Sequence, residues 1–173
     1  RADDPLEPKT KEKNALFCDV PTDAVFSNPD VPDIYQVPLV VEDEGLDEYV
    51  MERLDLSERA LPASERDNGW RDLVTQEQTG TVDVALVGKY GLEDAYLSIY
   101  ESLKHAGLAH NVNVETEWIH AEELADGHDN ELADVDAVVV PGGFGSRGTE
   151  GKIEAIRYAR EHGLPYLGLC LGF

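Results

Sequence analysis

From Thr81 onward the chain alternates two hydrophobic patterns. "VDVALVG", "NVNVETEWI", "DAVVVPGG" and "LPYLG" are short apolar runs rich in Val and Leu, whereas "EDAYLSIYESLKHAG" and "GTEGKIEAIRYAREHG" return apolar residues at helical spacing. The order predicts four strands separated by two long helices, closed by Gly107 and Gly163. Strands that alternate with helices of this length build βαβ units around a parallel sheet covered on both faces, a Rossmann-like α/β fold. Sites in such sheets gather at the carboxyl ends of the strands. Gly142-Gly143 and Cys170 both fall at such ends.

Ahead of Thr81 the regularity is missing. Residues 1–56 carry short apolar runs, "NALFCDV", "AVFSNPDV" and "IYQVPLVV", broken by Pro21, Pro29, Pro32 and Pro38. They read as an extended, turn-rich stretch followed by one amphipathic helix in "GLDEYVMERLDL", too little to close a core alone. Residues 57–80 read as a polar linker with one short helix, anchored by Trp70, Leu73 and Val74. No internal repeat is visible. Residues 81–173 form the regular α/β part.

Charge narrows the partners. With 36 acidic and 14 basic residues the formal charge is −22, and the acid is dispersed rather than gathered into a tail. Such a surface repels polyphosphate chains and anionic membranes, so nucleic acid and membrane are not expected partners. Dense carboxylates with few lysines suit a protein working in high salt, which predicts a halophilic source. No run is apolar enough for a membrane span, and "RADDPLEPKTKEKN" is not a signal peptide, so a cytoplasmic location is expected. The two cysteines, Cys18 and Cys170, lie far apart without a CxxC partner, so neither a metal centre nor a disulfide framework is predicted.

The chemistry concentrates in "GLCLG". A nucleophile on a tight strand-to-helix turn needs glycines two positions either side, because side chains there would strike neighbouring backbone; Gly168 and Gly172 fit that need around Cys170. A helix following the turn would aim its N-terminus at the sulfur and favour thiolate. Attack by a thiolate on a carboxamide creates an oxyanion that needs preorganised N–H donors. The Gly-Gly turn of "VVVPGGFGSRG" can present Gly143, and Leu171 follows the nucleophile directly. The plain alternatives are a cysteine that merely packs and a PGG that is only a tight turn; two such loops on one sheet edge favour a joint site.

Other residues read more simply. Lys89, after the first strand, is expected to be structural rather than a phosphate ligand. Trp118, Tyr90, Tyr96 and Tyr100 are expected to anchor core or interface, and Cys18 to be a packed core thiol. Of five histidines, only His120 ends a strand on the active edge; His105 and His162 sit in helices, His110 and His128 in turns. No G-x-x-x-x-G-K-[ST] phosphate loop is present, since "VGKY" lacks the upstream glycine and following hydroxyl.

"VPGGFGSRGTEGK" followed by "GLPYLGLCLGF" resembles the start of a class I glutamine amidotransferase domain. "VALVGKYGLEDAYLSIYESLKHAG" narrows the likeness to the CTP synthase family, and "KEKNALFCDVPTDAVFSNPDVPDIYQVPL" is similar to the end of that family's amidoligase domain. The resemblance implies glutamine hydrolysis at one domain, ammonia passing to the other, and amination of UTP to CTP with ATP and Mg2+. It implies Cys170 as thioester-forming nucleophile, with Gly143, Leu171, Gly172 and Phe173 about the oxyanion and glutamine. It implies Lys13 near the pyrimidine nucleotide, Asp30 and Val31 near ATP's adenine, and Arg147 in the loop of the GTP activator.

A homotetramer is also implied, as are a triad His and Glu beyond Phe173 and an ATP phosphate loop before Arg1. By that reading residues 1–173 alone are expected to be inactive in both half-reactions. Where that family commonly reads Arg-Ser-Asp-Arg this chain has Arg1-Ala2-Asp3-Asp4, so the basic residue at the last position is lost. A different class I amidotransferase, or a non-catalytic module on the same fold, are the alternatives.

Overall fold

The computed structural model describes residues 3–61, 69–90, 93–127 and 129–173. They belong to two compact units, Arg1–Gln76 and Glu77–Phe173. Arg1, Ala2 and His128 lie outside the described residues.

The first unit is helical, which corrects the extended reading of its early part: α1 (Pro8–Cys18), α2 (Val37–Asp43), α3 (Leu46–Arg53) and α4 (Trp70–Thr75), with single 3-10 turns between. Pro8 supplies the preset φ of a first helical turn, and Asp19, left-handed at φ 53, returns its amide to the Ala15 carbonyl to end α1. Hydrophobic periodicity could not reveal this helix because only Ala15 is buried, while Leu16 and Phe17 are about four-fifths exposed. Cys18 is exposed too, so it is not the packed core thiol expected.

Polar ties hold this unit. Glu44 accepts from Lys11 Nζ at 2.5 Å and from the buried Ser27 amide at 2.7 Å, and Ser27 Oγ accepts from the Leu6 amide at 2.9 Å. Trp70 Nε1 donates to the Tyr35 carbonyl at 3.0 Å, which seats α4. Among the described residues of this unit, only Ala15, Leu39 and Val74 are buried and apolar, in keeping with a stretch too thin to close a core.

In the second unit, β1 (Thr81–Gly88) is followed by α5 (Leu97–His110), β2 (Asn113–His120), α6 (Ala121–Ala125), β3 (Ala137–Val140), α7 (Thr149–His162) and β4 (Tyr166–Gly168). All pairings are parallel, in the order β2-β1-β3-β4. The period of two along each strand divides the core. Ala85, Val87, Val138 and Val140 join Ala155 and Ala159 of α7 on one face. Val84, Leu86 and Val139 meet Tyr96, Ile99 and Leu103 on the other, where Trp118 stacks on Tyr96 at 5.2 Å as the anchor expected of both rings.

Gly163 closes α7 in the left-handed conformation as predicted, but Gly107 does not close α5. It lies inside the helix, where a Cβ would stand 2.6 Å from the Val112 carbonyl oxygen, and Asn111 at φ 57 is the cap. His110 is therefore the helix's last residue rather than part of a turn. Close approach, not chain reversal, requires this glycine.

A Cβ on Gly151 would fall 1.4 Å from the Ala121 carbonyl oxygen, so Gly151→Ala forces α7 from α6 and costs about 1–3 kcal/mol in thermal unfolding. Gly80→Ala, with open space at the same point, stays within about 0.5 kcal/mol. The hydrogen bond from Lys11, then that from the Ser27 amide, lowers Glu44 below its ordinary carboxyl value of 4.5. An acid depressed on folding stabilises above its unfolded pKa and loses that contribution as pH falls through the folded one. Denaturation midpoints measured between about pH 6 and pH 3 should therefore decline more steeply in the parent than in Glu44→Gln.

Candidate functional site

The order β2-β1-β3-β4 reverses chain direction across the sheet between β1 and β3, and the crevice outside their carboxyl ends is where such sheets bind ligands. Three exits converge on this edge: Lys89 after β1, Pro141-Gly142-Gly143 after β3, and Leu169-Cys170 after β4. Register places Val140 opposite Gly168, and the Leu169 amide donates to the Val140 carbonyl at 2.9 Å, so the two loops leave the sheet side by side.

Cys170 follows with φ 55, a left-handed conformation that a residue bearing a Cβ rarely takes. A turn of 3-10 helix, Cys170–Gly172, completes the reversal and leaves the cysteine exposed. The glycines around it have the predicted reason. A Cβ on Gly168 would stand 2.3 Å from the Gly172 oxygen, and one on Gly172 would stand 1.9 Å from the Val140 oxygen. Within the turn the Gly172 amide donates to Leu169 and the Phe173 amide to Cys170, at 2.9 and 3.0 Å. The Leu171 amide is not used by these bonds. Tyr166 reaches from β4 and donates its hydroxyl to the Gly172 carbonyl; burial raises its pKa above that of an ordinary phenol.

The glycine loop lies against this turn. A Cβ on Gly142 would be 3.1 Å from Cys170 Cβ and 3.6 Å from Sγ, whereas one on Gly143 would be 2.8 Å from Lys89 Cε and 3.8 Å from Lys152 Nζ. The pair of glycines is thus a partition one backbone thick between a thiol and two ammonium groups. Lys89 and Lys152 are only 4% and 2% exposed. Lys89 Nζ donates to the Phe144 carbonyl and, at 3.4 Å, to that of Gly145. Lys152 Nζ donates to the carbonyls of Pro141 at 2.6 Å and Gly142 at 3.4 Å.

Burial first, then the neighbouring Lys89, lowers the Lys152 pKa, with Cys170 acting in the opposite sense. Lys89 is structural, as expected. Lys152 was read only as part of a helix, yet it had a signal: with Ala155 and Ala159 it occupies positions i, i+3 and i+7 on the buried face of α7.

The structure therefore brings Cys170, Gly143, Leu171, Gly172 and Phe173 to one edge. Arg147 borders it, donating to the Lys89 carbonyl at 2.8 Å while its Nε lies 3.5 Å from Glu122. His120 ends β2, three strand spacings or roughly 14 Å from β4. It stands edge-on to Trp118 at 5.8 Å instead. Lys13, exposed on α1, and Asp30 and Val31, in the loop before α2, belong to the first unit.

A family model described as glutamine amidotransferase class-I matches residues 92–173, and one described as CTP synthase N-terminus matches residues 1–56. The chain is 66% identical over 173 residues to CTP synthase from Haloarcula hispanica and 68% identical to CTP synthase from Natronomonas pharaonis. Each alignment covers 100% of this chain but 31% and 32% of the relative, so the chain spans about a third of the length of the curated relatives it matches. The halophilic relatives agree with the acidic surface. The glutaminase domain of Trypanosoma brucei CTPS with bound acivicin is 38% identical, covering 53% of this chain and 37% of that one with a TM-score of 0.49. With both domain models matched in order and two thirds of its residues shared with these relatives, the chain belongs to the CTP synthase family.

Proposed function

We propose that the whole protein makes CTP by aminating UTP with ammonia released from glutamine, and that Cys170 performs the release. The observation that carries this is an exposed cysteine in left-handed backbone, made possible by Gly168 and Gly172 and laid against Gly142.

In this reading the Cys170 thiolate adds to the glutamine carboxamide carbon, and the carbonyl electrons move to oxygen. The Gly143 and Leu171 amides donate to that oxyanion, while Gly172 and Phe173 shape the pocket for the rest of glutamine. Collapse expels the nitrogen as ammonia once it has taken a proton, leaving a γ-glutamyl thioester on sulfur. Water then attacks the thioester, giving glutamate and returning the sulfur. The proton transfers fall to the His and Glu that the family resemblance assigns outside residues 1–173. His120 ends the strand farthest from β4 in the sheet order and is assigned no proton transfer.

The second half-reaction belongs to the amidoligase domain. Residues 1–56 are its end, 57–80 the linker, and 81–173 the start of the amidotransferase domain. Lys13 lies near the pyrimidine nucleotide, Asp30 and Val31 near ATP's adenine, and Arg147 in the loop that answers to GTP as activator; homotetrameric assembly comes with the same resemblance. Among the described residues no three His, Cys, Asp or Glu side chains converge to hold a metal ion, so no step through Mg2+ is assigned to this chain. No described helix is long and apolar enough to cross a membrane; a cytoplasmic location comes with the family resemblance.

In the whole protein, Cys170→Ala should lower glutamine-dependent CTP formation by roughly 10³-fold or more while ammonia-dependent formation stays within about twofold. A glutamine-mimicking electrophile should label Cys170 and cause the same selective loss. Peptide mapping that found Cys18 labelled instead, with that loss, would overturn the assignment. Neutral iodoacetamide, by contrast, should modify both exposed thiols in the native protein.

A further inference from the structure

Lys152 and Lys89 present a physical problem that the mechanism above does not use. Both ammonium groups are buried, and among the described residues neither is paired with a carboxylate; their hydrogen bonds run to main-chain carbonyls of one loop. A buried cation satisfied only by neutral oxygens is costly, and the position on α7 is one that Ala155 and Ala159 would lead one to expect filled by hydrocarbon. Burial and the repulsion of Lys89 both work against the charge of Lys152. A local rule broken without a packing gain points to a functional demand.

Peptide geometry supplies the demand. Across a planar trans peptide the C=O of one residue and the N–H of the next point in opposite directions. Drawing the Pro141 and Gly142 carbonyls toward Lys152 therefore turns the Gly142 and Gly143 amide hydrogens to the other side of the loop. A Cβ on Gly142 would stand 3.6 Å from Cys170 Sγ, so the thiol lies against this loop. Lys89 does the same for the next stretch through Phe144 and Gly145.

We infer that Lys152 is a positioning residue of the glutamine-hydrolysing site: its buried ammonium holds the Pro141 and Gly142 carbonyls so that the Gly143 amide is aimed at the oxyanion. It also places a positive charge one backbone thickness behind the negative charge that forms there. Lys89 supports it by fixing the remainder of the loop. This rests on the reading of Cys170 as nucleophile.

The test uses the whole protein. Lys152→Met should lower kcat for glutamine hydrolysis about 100-fold, the scale of a lost oxyanion donor, with KM for glutamine changed less than about threefold. Ammonia-dependent CTP formation should be retained, and Lys152→Arg should recover at least about tenfold of the lost kcat. A residue serving packing alone would lower both activities together with stability, with no such split. Should Lys152→Met fail to fold, Lys152→Gln decides: a loss of kcat of about tenfold or more with ammonia-dependent activity intact supports the inference. Full kcat in either folded neutral variant overturns it. Glutamine hydrolysis surviving in Cys170→Ala would instead remove the underlying reading of Cys170, an outcome visible without any Lys152 variant.

Discussion

The carbonyl oxygen of Val140 and the α-carbon of Gly172 approach so closely that a single methyl group at position 172 would lie 1.9 Å from that oxygen. This contact lets the turn after β4 fold back over the end of β3, and the exposed sulfur, its left-handed backbone and the neighbouring glycine loop all depend on it. Left-handed geometry at a residue with a Cβ costs about 1–3 kcal/mol, and it persists only where the surroundings over-determine it. Here they do so through the Leu169 amide on Val140, the Gly172 and Phe173 amides within the turn, and the Tyr166 hydroxyl on Gly172. The strain is held by a sheet with apolar packing on both faces.

Behind that turn the electrostatics run against ordinary packing. A chain with a formal charge of −22 has carboxylates in abundance, yet its two buried lysines face carbonyl oxygens. Among the described residues no carboxylate is buried, so hydration is kept and like charges are screened by salt. A carboxylate beneath the loop would neutralise the lysines and set negative charge behind the glycine turn. Carbonyls satisfy the hydrogen bonds while leaving the field positive.

The first unit obeys a different balance. Its described buried apolar side chains are three, and its order comes from hydrogen-bonded nodes such as Lys11–Glu44–Ser27 and Trp70–Tyr35. Leu16, Phe17, Ile34 and Leu54 remain exposed. With so little burial to reward, helices such as α1 form without an apolar stripe, set by Pro8 at one end and Asp19 at the other.

Patterning along the chain was sufficient for the four strands and two long helices of the second unit. Strands of Val and Leu and helices of apolar period declare themselves because burial acts on every second or every third and fourth residue; "GLCLG" declares itself because only glycine tolerates backbone at that distance, and "PGG" because the Cys170 and lysine side chains crowd its two α-carbons. The exposed end of "NALFC" was misread for the complementary reason: a helix that buries only Ala15 has no period to display. Gly107 looked like a terminator because close approach and chain reversal both select glycine. What tertiary structure alone decided was direction. The sequence of α7 put a lysine on the inward face, but only the meeting of β1, β3 and β4 could show that its ammonium would find carbonyls of the glycine loop with the cysteine on the far side. Those neighbours come from segments far apart along the chain, and the field at a point is the sum over all of them.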